Sequence, residues 1–218
     1  MFKKKIFLLI FFFLTTFFFQ KSTSKEIKNN IIVSVNNLII TELDLSKEIN
    51  FIKFINKYNN TTELEIAALR RQSINNLINK KIKDIETDFF KIFIPEKEIE
   101  NNLYNLLSNL KINREDLDKF YEKNEIEKNY LKDSVRIDLK WSELINQLYQ
   151  NRININLTEI TTEIENIDKI EKNKENKEIL KENVILAEKN KLLNKFSEFH
   201  LEKIKKKYLI NLLWKKIL

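Results

Sequence analysis

Apolar side chains recur every three or four positions along most of this 218-residue chain, which is the spacing of one helix face. The clearest case is residues 124–151, a stretch without proline or glycine. Its apolar or small residues form one stripe: Ile126, Tyr130, Ser134, Ile137, Trp141, Leu144, Ile145 and Leu148. A second, partial stripe contains Leu131, Val135 and Leu139, so other elements should pack on more than one side. We predict a helix of ~40 Å here, the longest in its domain.

A tight hairpin is predicted before the first helix. Two β-branched runs in residues 31–41 flank Asn36 and Asn37, and asparagine tolerates the positive φ that such a turn needs. Thr41 and Asp44 then have the spacing of a capping box that opens a helix. That helix carries two apolar stripes, one with Leu45, Ile49 and Ile52, the other with Phe51, Phe54, Ile55 and Tyr58. The second stripe belongs either to the core or to an open groove.

Three more helices follow in the pattern. Thr62 and Glu65 form a second capping box before a long helix. We predict that its inner face contains Ile74, Leu77, Ile78, Ile82, Ile85 and Phe89. Pro95 begins the next helix, whose apolar face contains Ile99, Leu103, Leu106, Leu107 and Leu110. Asn113 can cap a short helix that carries Leu117, Phe120 and Tyr121.

The N-terminal 24 residues have the pattern of a secretory signal peptide. Lys3, Lys4 and Lys5 precede an apolar run at residues 6–19, and Ser22 and Ser24 offer small residues for cleavage. Fourteen residues give roughly 21 Å of helix, shorter than the ~30 Å hydrocarbon core of a bilayer. We expect cleavage near Ser24, export and no stable membrane insertion afterwards, with an uncleaved anchor as the alternative.

The C-terminal part is predicted to return to the N-terminal domain. Residues 169–178 are rich in charge, and we interpret them as a linker, or an exposed helix end, between a helical domain at 25–168 and a final segment at 179–218. The final helix has an apolar face around Phe196 that needs a partner, and residues 208–213 form a short apolar run. Because an isolated two-stranded hairpin is marginal, we expect this run to add a third strand.

Composition excludes several classes of function. The chain has no glycine, no cysteine and one histidine, so it lacks phosphate loops, dinucleotide fingerprints and the usual zinc ligands. His200 lies at helical spacing from Phe196 and Ile204 and is interpreted as a half-buried packing residue. Of the net charge of +7, four charges come from Lys3, Lys4, Lys5 and Lys21, which leaves +3. We expect no cofactor, no metal and no nucleic acid.

The order of these elements resembles the N-terminal domain of the SurA family of periplasmic chaperones. The resemblance covers about residues 30–158 and rests on four stretches: VNNLIITELDL (35–45), LRRQSINNLINKKI (69–82), IPEKEIENNLYNL (94–106) and YLKDSVRIDLKWSELINQ (130–147). The last segment, LLNKFSEFHLEKIKKKYLINLL (192–213), is similar to the family's C-terminal tail, which completes that domain. The family's parvulin-type prolyl isomerase modules have no room here, and their histidines are absent.

The resemblance implies a mainly α fold with a small β-hairpin completed by a C-terminal helix and strand. It also implies a periplasmic holding chaperone that binds unfolded outer-membrane β-barrel proteins in an apolar groove, without enzymatic activity. The candidate groove residues are Phe51, Phe54, Tyr58, Tyr104, Phe120 and Tyr121. Two alternatives stay open: a prolyl isomerase family member by descent, and a helical structural or adaptor protein of the cell envelope.

Overall fold

The computed structural model describes residues 30–56, 62–124 and 126–213. The predicted signal peptide therefore lies outside the described residues. Within them the chain forms a hairpin, seven α-helices and a last strand. In chain order these are β1 (Ile31–Val35), β2 (Leu38–Thr41), α1 (Glu42–Ile55), α2 (Glu63–Phe89), α3 (Glu96–Asn109), α4 (Leu117–Asn124), α5 (Lys128–Tyr149), α6 (Leu157–Ile170), α7 (Lys174–Lys205) and β3 (Ile210–Leu212). The mainly α fold with a small β-hairpin is as predicted.

Both predicted capping boxes are present. The Thr41 hydroxyl accepts a hydrogen bond from the Asp44 backbone N–H, and the Asp44 carboxylate accepts from the Thr41 N–H. Thr62 and Glu65 repeat this exchange at the start of α2. The backbone and hydroxyl hydrogen bonds of Thr62 lower the pKa of Glu65. Each box satisfies N–H groups that the first turn of a helix leaves without a partner.

The third strand is also confirmed. β3 runs antiparallel to β1, with Ile210 opposite Val35 and Leu212 opposite Val33, so β1 lies between β2 and β3. Asn36 takes the left-handed conformation at φ 51° in the hairpin turn. Its backbone N–H donates to the Leu209 carbonyl at 2.8 Å, and its side-chain oxygen accepts from the Leu209 N–H at 2.9 Å. One turn residue thus closes the hairpin and fixes the returning strand.

We call the larger of two buried clusters the sheet core. It consists of Ile32, Val33, Val35, Ile40, Leu45, Ile74, Leu77, Ile78, Ile82, Ile92, Trp141, Leu144, Ile145 and Ile204. The end of α7 packs on α5, as predicted for the helix around Phe196: Phe196 stacks on Tyr149 with ring centroids 4.8 Å apart, and the Trp141 indole N–H donates to the Ser197 hydroxyl. Both ends of the described chain therefore meet in one core.

Three details differ from the predictions. The helix predicted over residues 124–151 is α5, which is not the longest helix. It has 22 residues, whereas α2 has 27 and α7 has 32. Phe89 does not lie on the inner face of α2: it is 76% exposed, and the buried residue in the last two turns of the helix is Thr87. Ile85, one turn before Phe89, is already only half-buried.

The expected linker at residues 169–178 is mostly helical. Only residues 171–173 are outside α6 and α7, so the C-terminal helix begins at Lys174 rather than at 179. The Asn173 side chain caps α7 by accepting hydrogen bonds from the backbone N–H groups of Glu175 and Asn176. Asp168 on α6 pairs with Lys181 at 2.9 Å and Lys177 at 3.3 Å on α7, and the lysines lower its pKa. Most of this stretch is therefore exposed helix end, the alternative to a linker, and its Lys177 contributes to the ion pairs between the two helices.

Candidate functional site

Four of the six predicted groove residues come together in the smaller buried cluster, which we call the aromatic cluster. Its buried members are Leu103, Leu107, Phe120, Ile126 and Leu131, and its half-buried members are Phe51, Phe54, Ile112, Leu117, Tyr121 and Val135. The Phe54 ring meets the Phe120 ring edge-on at 4.8 Å. Phe120 and Tyr121 are 5.2 Å apart. Aromatic contacts thus attach the short helix α4 to α1.

The aromatic side chains of this cluster point inward. Phe120 is only 8% exposed, and the Tyr121 hydroxyl is buried with no hydrogen-bond partner among the described residues. Burial, with a smaller contribution from Asp118, raises the pKa of Tyr121. Phe51, on the same stripe of α1 as Phe54, meets the Tyr130 ring of α5 at 6.5 Å. In this arrangement Phe51 and Phe54 pack between helices.

The two remaining predicted residues lie elsewhere. Tyr104 is on α3 beside the buried Leu103, and 46% of it is exposed. Tyr58 lies outside the described residues. The structure therefore brings together Phe51, Phe54, Phe120 and Tyr121, and it leaves Tyr104 at the surface.

A buried polar network lies between the sheet core and the aromatic cluster. Glu48 of α1 is 1% exposed, and its carboxylate accepts hydrogen bonds from Lys80 at 2.7 Å and from Asn76 at 3.0 Å. The Tyr130 hydroxyl also donates to Glu48. Lys80 donates further to the Ser134 hydroxyl at 3.1 Å. The network ties α1, α2 and α5 together at one point.

This network was not found in the sequence, because its hydrogen-bonded partners are up to 82 residues apart. Burial, followed by the nearby Glu48 carboxylate, raises the pKa of Tyr130, so the phenol stays protonated and remains a donor. The Lys80 ammonium lies 4.9 Å from the Tyr130 ring centroid and 5.6 Å from that of Phe51. Because every oxygen of Glu48 has a donor and Lys80 has several acceptors, the network is satisfied internally and serves to hold the helices.

A second aromatic surface, missed in the sequence, lies at the end of α2. Phe89 is 76% exposed, Phe93 is 80% exposed and Phe90 is 43% exposed. We call these three residues the phenylalanine corner. Phe89 and Phe90 meet edge-on at 5.3 Å. A signal for it was available: three phenylalanines stand within five residues, immediately before Pro95, where a helix must end.

The backbone of the corner is well fixed. Lys91 takes the left-handed conformation at φ 55°, its N–H donates to the Asp88 carbonyl, and the Ile92 N–H donates to the Thr87 carbonyl. These two bonds form a Schellman motif, in which the left-handed residue is usually glycine. Ile92 is buried in the sheet core. The corner therefore presents its phenylalanines from an anchored turn.

A function for this chain has to be argued from the geometry of the described residues. Among the described residues, no helix is long and apolar enough to cross a membrane, and no cluster of three metal-binding side chains is found. No protein-family model matches the chain, and no curated protein matches it. The exposed aromatic residues are the chemical feature that most needs an explanation.

Proposed function

We propose that this chain is a periplasmic holding chaperone that binds unfolded outer-membrane β-barrel proteins without isomerase activity. Two things support the proposal: the resemblance to the SurA N-terminal domain family, and the exposed aromatic side chains of the described surface. Binding would be passive, since apolar contacts require neither a nucleotide nor a metal.

The phenylalanine corner is the observation that carries the proposal. Phenylalanine is usually buried, and contiguous exposed apolar side chains mark interaction sites. Full burial of one phenylalanine is worth ~1.5–3 kcal/mol, so three partly covered rings would bind weakly and reversibly. A holding chaperone needs such binding, because its client must be released again.

The proposed clients match this chemistry. Strands of outer-membrane barrels alternate apolar and polar residues and carry aromatic girdles, which are exposed while the chain is unfolded. The corner would contact these aromatic residues, and Tyr104 is a second exposed contact point. We assign Phe51, Phe54, Phe120 and Tyr121 the role of holding α4 and α1 together.

The proposal is tested by aggregation of an unfolded β-barrel protein diluted from urea. The purified chain should delay light scattering without nucleotide, and the delay should survive raised salt, because apolar burial is not screened as exposed charges are. Failure to protect at several client ratios would leave the adaptor alternative as the better one. In the same preparation, an X-Pro peptide should not isomerise above its background rate, which takes tens to hundreds of seconds.

Residence in the periplasm is part of the proposal and has its own test. Mass spectrometry of the chain purified from cells should find a mature N-terminus near Ser24. A protein that keeps Met1 and fractionates with membranes would contradict cleavage and favour an anchored form.

The adaptor alternative has one observation in its favour. The helix α7 carries exposed apolar residues along its length, including Ile179, Leu186 and Phe199. Contact between these residues of two copies would produce a stable dimer, whereas a holding chaperone can be monomeric. Sedimentation over a wide concentration range separates the two: a dimer that persists at low concentration favours the adaptor.

A further inference from the structure

A cavity of about 200 Å³ lies next to the phenylalanine corner, between the ends of α2, α5 and α7. Phe90, Leu148 and Ile204 give it apolar walls. Arg152, Lys203 and Lys207 also line it, and all three are exposed. A site with apolar walls and several cations suits a ligand that has an apolar part and a negative charge.

The cations of this cavity are available. Arg152, Lys203 and Lys207 form no ion pair with any residue in the described part of the chain; the Arg152 guanidinium instead lies 5.6 Å from the centre of the Tyr149 ring. The cavity also contains one carboxylate, Glu86, which accepts a hydrogen bond from the Tyr208 hydroxyl at 2.9 Å. The local charge therefore remains positive.

His200 adds a buried polar atom without a partner. Its Nδ1 lies 2.8 Å from the Tyr149 hydroxyl, while its Nε2 is buried and has no hydrogen-bond partner among residues 30–56, 62–124 and 126–213. Burial lowers the pKa of His200, so the imidazole is neutral near pH 7. Which ring nitrogen carries the hydrogen depends on the tautomer, and Nε2 is too buried to contact a ligand in the cavity directly. The neutral imidazole adds no charge, so the positive charge of the cavity comes from Arg152, Lys203 and Lys207.

We propose that this cavity binds the C-terminal residue of a polypeptide. Its side chain would lie against Phe90, Leu148 and Ile204, and its carboxylate would face the three cations. The volume fits one residue, and a chain terminus is the place where one residue carries both an apolar side chain and a carboxylate. A phosphate would meet the same cations but has no apolar part, so it would leave the walls formed by Phe90, Leu148 and Ile204 uncovered. The inference does not depend on the holding function, because a peptide can bind here whether or not the chain prevents aggregation.

The test uses two forms of one labelled peptide. A pentapeptide that ends in phenylalanine, labelled at its N-terminus, is titrated with the full chain and followed by fluorescence anisotropy, once with a free carboxylate and once amidated. The free acid should bind about tenfold tighter or more, as expected for loss of a charge-assisted hydrogen bond. Equal affinity of the two forms, or no binding of either, would overturn the proposal.

Variants locate the binding. The double variant Arg152→Gln/Lys207→Gln should reduce the affinity for the free acid to that of the amide. The affinity for the amide should stay the same. Lys172→Gln removes an equally exposed cation outside the cavity and should change neither. Since all three side chains are exposed, thermal unfolding should be unchanged. If inorganic phosphate displaces the peptide at the peptide's own concentration, the cavity binds phosphate anions and the proposal fails.

Discussion

The sheet core and the aromatic cluster are built in opposite ways. The sheet core is mostly aliphatic and joins strands and helices from both ends of the described chain. The aromatic cluster has five buried residues, and its rim consists of half-buried residues that include Phe51, Phe54 and Tyr121. The comparison teaches that stability resides mainly in the sheet core, while the aromatic cluster is the part that can open locally.

The polar network around Glu48 lies where these two regions meet. It fixes α2, which belongs to the sheet core, against α1 and α5, which contribute to both regions. The connection is strong only while Glu48 keeps its donors, because an unpaired buried carboxylate is strongly unfavourable. We therefore expect the two regions to respond differently to substitution, in the order given below.

Truncation after Asn190 should have the largest effect. It removes β3, Ile204 and the half-buried Leu193, Leu201 and Tyr208 from the sheet core. Burial of each large side chain contributes ~1.5–3 kcal/mol to the free energy of unfolding. The truncation should therefore remove almost the whole stability of a typical domain. Circular dichroism should show an unfolded or barely folded chain at 25 °C. A melting temperature equal to that of the full chain would mean that the tail is an independent arm.

Lys80→Ala should have the next largest effect. It should lower the free energy of unfolding by about 3–5 kcal/mol, because it leaves Glu48 buried without its cation. The matched control is Lys47→Ala, which removes the lysine of a pair with the exposed Glu127 and should cost at most ~1 kcal/mol. Urea denaturation measures both. The double variant Glu48→Leu/Lys80→Met should recover most of the loss; a double variant as unstable as Lys80→Ala would show that the network does not act as a pair.

Phe51→Ser/Phe54→Ser should destabilise the aromatic cluster by about 2–4 kcal/mol, less than for fully buried rings because both are half-buried. Hydrogen exchange should show faster opening of α4 and the start of α5 while β1 and α2 stay protected. An equal rise of hydrogen exchange in both regions would contradict the claim that the aromatic cluster opens locally while the sheet core stays closed. An unchanged stability would instead mean that the stripe lines an open groove.

Local signals made much of the fold predictable. The capping boxes at Thr41 and Thr62 and the turn at Asn36 depend on residues close in sequence, so spacing alone indicates them. The third strand followed from the need of a hairpin for a partner. Long-range features were not accessible in this way: Glu48 reads as an ordinary surface carboxylate because its partners lie 28 to 82 residues away.

Periodicity was misleading at the end of α2. Phe89 keeps the spacing of the inner face of α2, yet it is 76% exposed, while Thr87, two positions earlier, is fully buried. Spacing shows which residues share a helix face but not how far the neighbouring elements extend. The same limit applies to the site: Phe51 and Phe54 were correctly placed on one stripe, but only the position of α4 determines how much of that stripe is covered.

The smallest expected effect is a gain in stability. Lys91 and Lys111 occupy left-handed positions after α2 and α3, where the lysine Cβ is unfavourable and glycine would relieve the strain. Lys91→Gly and Lys111→Gly should each raise the free energy of unfolding by up to about 1 kcal/mol. Lys195→Gly, at an exposed position in the interior of α7, should lower it by ~1 kcal/mol. Loss of stability at Lys91 would contradict the Schellman assignment.

The most direct test of the account replaces Phe89 and Phe93 with serine and measures protection of an unfolded β-barrel protein. Both side chains are exposed, so the variant should melt within a few degrees of the unchanged chain. Leu64→Ser, at an 83% exposed position at the other end of α2, is the matched control and should protect fully. The account predicts that the double variant stays folded and loses most of its protection. Full protection by a folded double variant would contradict it.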